Sequence, residues 1–197
     1  MPELIRQITD DFFPTLARWQ DRRALWLAGG LGALGLEIFS VVYFQGIMHL
    51  NPCEYCVKVR LAMWMIFLGA LFAAVRPRTL FFKLVGYVST LAAAGWGLYL
   101  SAVLEDINLK TLHDPHWFAP CSFGRIKWPF GLRPDEWFPG HFMATGICGE
   151  NSKWSFLGFS MTQWLVLVYV VMIAGLVMML AADVYARIKA SRAGKAA

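Results

Sequence analysis

Pro52-Cys53-Glu54-Tyr55-Cys56-Val57-Lys58-Val59-Arg60 joins two long apolar runs, and the fold follows from how it is read. Two cysteines separated by two residues can close on each other, open, and exchange with other thiols. With Val57 onward helical, Cys56 falls at or near a helix N-terminus. Unpaired N–H groups and the positive end of the helix dipole favour a thiolate there. Arg60, four residues on, shares that helix face and adds a full positive charge. The apolar runs on either side put the pair at a membrane boundary.

Working outward, the runs account for most of the chain. Of 197 residues, 58% are hydrophobic, and the mean hydropathy is positive. That is too apolar for an ordinary soluble domain and typical of a multi-span membrane protein. One domain over residues 1–197 is expected, held together by helix packing in lipid. The net charge of +5 does not point to nucleic acid, because the basic residues gather at the ends of the apolar runs, as membrane topology demands.

On the N-terminal side of the pair, a first span is predicted over about residues 24–44, near the 20 residues a crossing needs. It is too long for the apolar core of a cleavable signal and reads as a retained anchor. Gly29, Gly32 and Gly35 recur on one side and would let another helix approach closely. Glu37 lies inside this span, where a carboxylate is costly and marks either a polar structural contact or a role near the redox pair. Before it, Ile5, Ile8, Phe12, Leu16 and Trp19 recur at helical spacing, interrupted at Pro14. This segment reads as an interfacial amphipathic helix or as a cytoplasmic tail.

On the C-terminal side, span two is predicted over about 57–75, with Arg60 one turn inside it. A buried pair between Glu37 and Arg60 is then open to the fold. Arg76-Pro77-Arg78 makes a tight turn into span three, about 80–104, where Lys83 can snorkel to the near interface. Ala92-Ala93-Ala94-Gly95-Trp96-Gly97 supplies small residues for close packing. A long segment over about 105–163 follows, carrying Cys121, Cys148 and many aromatics, including Trp117, Trp128, Phe130, Trp137, Phe138, Phe142 and Trp154. A loop of this length is usually functional. It reads as lying partly on the bilayer surface, or as a compact cap with an aromatic core. Pro134-Asp135-Glu136-Trp137 has the proline and acids of a helix start. Span four is predicted over about 164–182, with a basic tail to residue 197. The fold class is therefore an all-α membrane protein: four transmembrane helices with a long extracytoplasmic loop bearing a short interfacial helix.

Lys and Arg concentrate in the N-terminal segment, the Arg76 turn and the tail. The positive-inside rule puts these, with both termini, in the cytoplasm. All four cysteines then face the other side, which in a bacterium is the periplasm.

Four chemistries compete for those cysteines. In a redox relay, a surface dithiol in a mobile loop takes electrons from a partner and passes them to a membrane-level dithiol through a mixed disulfide. The lipid around Cys56 and Arg60 suggests a quinone as acceptor, with Arg60 stabilising developing negative charge. Two structural disulfides in a scaffold or transporter are the alternative, although Cys53–Cys56 would close too small a ring to be a useful staple. Zinc finds only a half-site, since Cys121 and Cys148 do not form a second one. Haem could use His49, His113, His116 or His141, but no Cys-x-x-Cys-His is present.

The motifs together resemble one family. They are Phe44-Gln45, Pro52-Cys53-x-x-Cys56-x-x-x-Arg60, Cys121, Asp135-Glu136-Trp137-x-Pro139, Thr145-Gly146-x-Cys148 and Trp154-x-Phe156-Leu157-Gly158-x-x-Met161-x-Gln163-Trp164. This pattern, over about residues 17–183, is similar to the DsbB family of bacterial inner-membrane thiol:quinone oxidoreductases. Arg18-Trp19-Gln20 and Cys53-Glu54-x-Cys56-Val57 look like its DsbI branch, associated with a dedicated DsbA-like partner, DsbL.

The resemblance implies reoxidation of a periplasmic DsbA-like thioredoxin-fold protein, with ubiquinone or menaquinone as acceptor. It implies that Cys121 takes the mixed disulfide with the partner and pairs with Cys148. Cys148 would join Cys53 in an inter-loop intermediate. Cys53 and Cys56 would be the quinone-linked pair, with Arg60 supporting the quinone, and Glu37 matches a glutamate of the family's first span. Val59 stands where the family pattern has an acid, and Glu105-Asp106 where it has Glu-His. The spacing around Cys121 also differs by a few residues.

Overall fold

Leu, Ala, Val and Phe run through four stretches without an interior proline, and each stretch is one long helix in the computed structural model. The structure describes residues 12–114, 116–117, 119, 121–122, 124, 126–128, 131–150 and 153–195. A helical segment over 12–20 (α1) leads to α2 (Arg23–Ser40), which continues as a π-helical turn (Val41–Ile47). Then come α3 (Glu54–Val75), α4 (Leu80–His113), the one-turn helices α5 (Pro134–Trp137) and α6 (Pro139–Phe142), a hairpin of β1 (Ser155–Phe156) and β2 (Phe159–Ser160), and α7 (Met161–Lys195). Helices α2 (with its π-turn), α3, α4 and α7 are long and apolar enough to cross a membrane. Pro134 sits in the first turn of α5, where its missing N–H costs nothing.

The bundle closes where side chains are small. Gly69 on α3 faces Ser89 and Thr90 on α4, and Gly86 on α4 faces Ala73. Gly97 takes the ring of Tyr169 from α7, and Ala93 and Ala94 are buried beside it. The Tyr169 hydroxyl donates to the Val59 carbonyl at 3.0 Å, tying α7 to α3.

Three sequence expectations change. Gly29, Gly32 and Gly35 meet nothing within 4 Å, whereas Gly30 receives α3, with Ala70 Cβ 3.1 Å from a Cβ built there. On a helix apolar all round, the glycine period does not reveal which side is packed. Lys83 does not snorkel. It is 3% exposed and pairs with Asp21 at 2.7 Å and Asp183 at 2.9 Å, joining the N-terminal segment, α4 and α7. Helix α4 runs nine residues past Leu104, through Glu105 and Asp106 to His113. Nothing in that stretch breaks a helix, and Asp106–Lys110 supports it at i,i+4 spacing. Glu105 then accepts from Gln163 Nε2 at 2.9 Å and from the Thr162 hydroxyl, so α4 caps the start of α7.

Described residues of the segment after α4 pack at the N-terminal end of α3, against Val57 and Pro52. The segment's aromatics divide between both readings. Trp128 and Phe142 pack with Val57, Ile126 and Ala144 in a small core, while Trp137 and Phe138 are exposed. Of the amphipathic N-terminal pattern, Ile5 and Ile8 lie outside the described residues. Phe12 and Trp19 are exposed.

Candidate active site: two cysteine pairs and an apolar cavity

Cys53 is the N-cap of α3. Its backbone is extended, and its sulfur accepts the Cys56 amide at 3.3 Å. That turn brings the Cys53 and Cys56 sulfurs 2.6 Å apart, as free thiols. The hydrogen bond to Cys56 and then burial push the Cys53 thiol well above its ordinary range. Arg60 follows one turn further on, buried on the same helix.

Cys121 and Cys148 form a disulfide with Cα atoms 6.1 Å apart. Cys148 is 3% exposed and packs in one cluster with Cys53, Leu104 and Ile107, while Cys56 and Cys121 border it. The two pairs therefore adjoin across the N-terminus of α3. The strand leading to Cys148 is fixed there. Thr145 and Gly146 both donate to the Pro52 carbonyl at 3.0 Å. A Cβ on Gly146 would lie 2.6 Å from the Asn51 carbonyl oxygen, so only glycine allows this approach. On the other arm, the Ser122 amide donates to Glu54 Oε2 at 2.6 Å. Lys58 holds the other oxygen of Glu54 at 2.5 Å.

Cys56 and Arg60 also line a cavity of about 510 Å³ between α2 with its π-turn, α3 and the start of α7. Its wall is largely apolar, with Tyr43, Phe44, Trp154 and Trp164 around it. The π-turn helps shape it by carrying Tyr43, Phe44 and Gln45. Arg60 is held at the rim from three sides. Nη1 donates to the His141 carbonyl at 3.0 Å, and Nε lies 3.7 Å from Glu37 Oε1, so the Glu37–Arg60 pair forms. The Gln45 amide, with its oxygen turned toward the guanidinium, accepts from Nη2 at 2.8 Å.

Sequence reasoning passed over two residues here. His141, considered only among four candidate haem ligands, has Nε2 3.1 Å from Glu37 Oε1 and accepts the Trp64 indole N–H at 3.1 Å. Trp64 drew no attention because its partner is 77 positions away. Among the described residues no cluster of three or more His, Cys, Asp or Glu could hold a metal.

This arrangement can shuttle a disulfide. A closed pair at the loop surface adjoins an open pair at a helix N-terminus, and the open pair borders an apolar cavity with a fixed cation.

Comparison with known proteins agrees with the geometry. Residues 22–179 match the family model described as disulfide bond formation protein DsbB. A protein-disulfide oxidoreductase DsbI of Lelliottia amnigena is 36% identical over 143 residues, 70% of this chain and 64% of that protein. DsbI of Escherichia coli O1:K1 / APEC is 33% identical over 165 residues, 79% of this chain and 72% of that one. Disulfide bond formation protein B of Shewanella sp. (strain ANA-3) is 32% identical over 152 residues, 77% of this chain and 83% of its relative. The chain thus spans just under two thirds of the first of these relatives and more of the other two. It is a multi-pass membrane protein, and it belongs to the DsbB family of disulfide-generating oxidoreductases.

Proposed function

We propose that the protein reoxidises a periplasmic DsbA-like dithiol protein and passes the electrons through two cysteine pairs to a membrane quinone. The observation that carries this reading is that Cys56 faces two ways. Its sulfur is 2.6 Å from Cys53, which packs beside Cys148, and it lines the apolar cavity with Arg60.

In this scheme the partner's thiolate attacks Cys121, the more exposed sulfur of the loop disulfide, and Cys148 leaves as a thiolate. The partner's second thiol resolves the mixed disulfide, so the partner departs oxidised and the loop pair is left reduced. Cys148 then attacks Cys53 of an oxidised Cys53–Cys56 pair, freeing Cys56 toward the cavity. Cys121 displaces Cys53 from Cys148, and the loop disulfide closes again. The two electrons now reside on Cys53 and Cys56.

A flat, apolar two-electron carrier suits the cavity by size and lining. Phe44, Trp154 and Trp164 would hold its ring, and Arg60 would hydrogen-bond one oxygen. The bound quinone supplies the two-electron acceptor. Basic residues of the N-terminal segment, the Arg76 turn and the C-terminal tail support cytoplasmic termini and periplasmic cysteines, in a bacterial inner membrane. A dedicated DsbL-type partner is the specific form of donor that the DsbI resemblance favours.

The test is quinone absorbance with purified protein and a reduced DsbA-like donor. Wild-type protein is expected to turn over, and Cys121→Ser and Cys56→Ser to stop. Turnover in Cys121→Ser would break the relay order. Inertness of all four thiols toward donor and quinone would return the cysteines to a structural role.

A further inference from the structure

Arg60 gives the cavity a polar end whose donors are nearly all taken. A guanidinium carries five N–H bonds in a fixed fork and grips a carboxylate or phosphate through two of them at once. Gln45 Oε1 accepts from Nη2 at 2.8 Å and from Nη1 at 3.1 Å, so it covers the edge between these two nitrogens. The His141 carbonyl takes the other N–H of Nη1 at 3.0 Å. Glu37 Oε1 stands 3.7 Å from Nε. Among the described residues, one N–H on Nη2 then remains for a ligand. The π-turn makes this possible. It widens the helix that began as α2, so that Gln45 comes round to the guanidinium that Glu37 already faces.

We propose that Gln45 is a specificity-determining residue: it covers the two-nitrogen edge of Arg60, keeping the carboxylate and phosphate heads of anionic amphiphiles out of the cavity while leaving one N–H for a neutral carbonyl oxygen. The proposal rests on reading the cavity as the quinone site, and it names how that site tells a quinone from a lipid anion. The need is physical. An apolar space of about 510 Å³ suits an acyl chain as well as a quinone. A buried guanidinium is a strong attractor for an anionic head beside that space. A carbonyl oxygen is satisfied by one donor. An anion gains most from a paired edge, and Gln45 occupies one edge while the Glu37 carboxylate opposes the other at Nε. Rejection is thus built in beside attraction.

Removing the Gln45 amide bares the covered edge. Two N–H bonds are then unmet in an apolar wall, which is costly until an acceptor fills them. An anionic amphiphile brings two oxygens to that edge. Gln45→Leu makes the change at similar size, and Gln45→Met repeats it should the first variant not fold.

The first readout needs no quinone: retention of radiolabelled decanoate by the immobilised full chain in dodecyl maltoside. Partition into micelles is common to all variants, so differences between them read the site. Wild-type protein is expected to retain no more decanoate than Arg60→Met does. Gln45→Leu should retain about tenfold more, the low end for a hydrogen bond to a charged group. Adding Arg60→Met to Gln45→Leu should abolish the gain. Equal retention by wild type and Gln45→Leu overturns the proposal, and so does a gain that survives the loss of Arg60.

The second readout is single-turnover oxidation of the pre-reduced protein by decylubiquinone, with and without decanoate. Decanoate is expected to slow Gln45→Leu about tenfold at a concentration that leaves the wild type unchanged. Equal slowing of both proteins overturns the filter while the quinone reading stands. If the wild type leaves decylubiquinone oxidised, the quinone reading falls, and decanoate retention still decides for or against Gln45.

Discussion

The two arms that meet in the Cys121–Cys148 disulfide are held differently. The arm leading to Cys148 is anchored along its length. His141 is tied to Arg60 and Trp64 of α3, Phe142 and Ala144 are buried against Val57, and Thr145 and Gly146 bond Pro52. Cys148 therefore arrives beside Cys53 on a fixed track. Cys121 is partly exposed, and Ser122, exposed itself, donates to the Glu54 carboxylate of α3, while Gly124 bonds the Ala144 carbonyl and Ile126 and Trp128 pack with Val57 only further along this arm. Among the described residues before Cys121, the backbone bonds run from Trp117 to Asp114 and from Cys121 to Ala119. Thiol exchange needs one sulfur to be reached and another to stay aligned. In the proposed relay, the difference between the arms suits Cys121 to the first task and Cys148 to the second.

The largest effect should come from breaking the fixed arm. Gly146→Val puts a branched side chain against Asn51 and forces the strand off Pro52. The expected result is at least a tenfold loss in the yield of a trapped Cys53–Cys148 species on a non-reducing gel. The protein should also lose about 1–3 kcal/mol of stability from overpacking. An unchanged yield would mean that the track does not align Cys148.

A moderate effect should come from loosening the other arm. Glu54→Gln weakens a charge-assisted bond to the Ser122 amide, worth about 1.5 kcal/mol at the low end. Reduction of the loop disulfide by dithiothreitol should then be roughly tenfold faster. Ser122→Pro removes the same amide proton. The double variant should be no faster than either single one, since both act on one contact. Additive effects would show that Glu54 acts elsewhere.

The smallest effect concerns pH at the receiving cysteine. The Cys53 thiol is raised by its hydrogen bond to Cys56 and by burial, so it stays protonated where a free thiol, with a pKa of about 8.5, is half ionised. Alkylation of Cys53 by iodoacetamide should stay low through that pH and rise only above it. A half-point at the ordinary thiol value would mean that Cys53 is neither bonded nor buried as described.

Most of the fold was legible because four apolar stretches, each about a membrane thick, leave little choice. Cys53 and Cys56 were legible as a pair because Cys-x-x-Cys at a helix start has few other uses, the Cys121–Cys148 pairing only through the family resemblance, and the Glu37–Arg60 pair because two charges at one depth of a membrane seek each other. What escaped the sequence was the phase of each helix. Gly30 and not Gly29 meets α3, and Lys83 turns inward to two aspartates, yet an all-apolar helix does not advertise its packed side. The contacts of His141 were also hidden. They join a loop to helices far away in sequence, and nothing around His141 marks it apart from His113 or His116. Glu54 could be read as an acid in a first helical turn. That it holds Ser122 depends on where the loop folds back.

The most direct measurement is to identify the disulfide that forms in purified Cys56→Ser protein. Deprived of Cys56, the Cys53 thiolate can attack the loop disulfide, forming one new S–S bond and releasing one loop thiol. Peptide mass spectrometry should find Cys53 joined to Cys148, with Cys121 free. Cys53 joined to Cys121, or left as a free thiol beside an intact Cys121–Cys148 bond, would contradict the fixed track on which the relay depends.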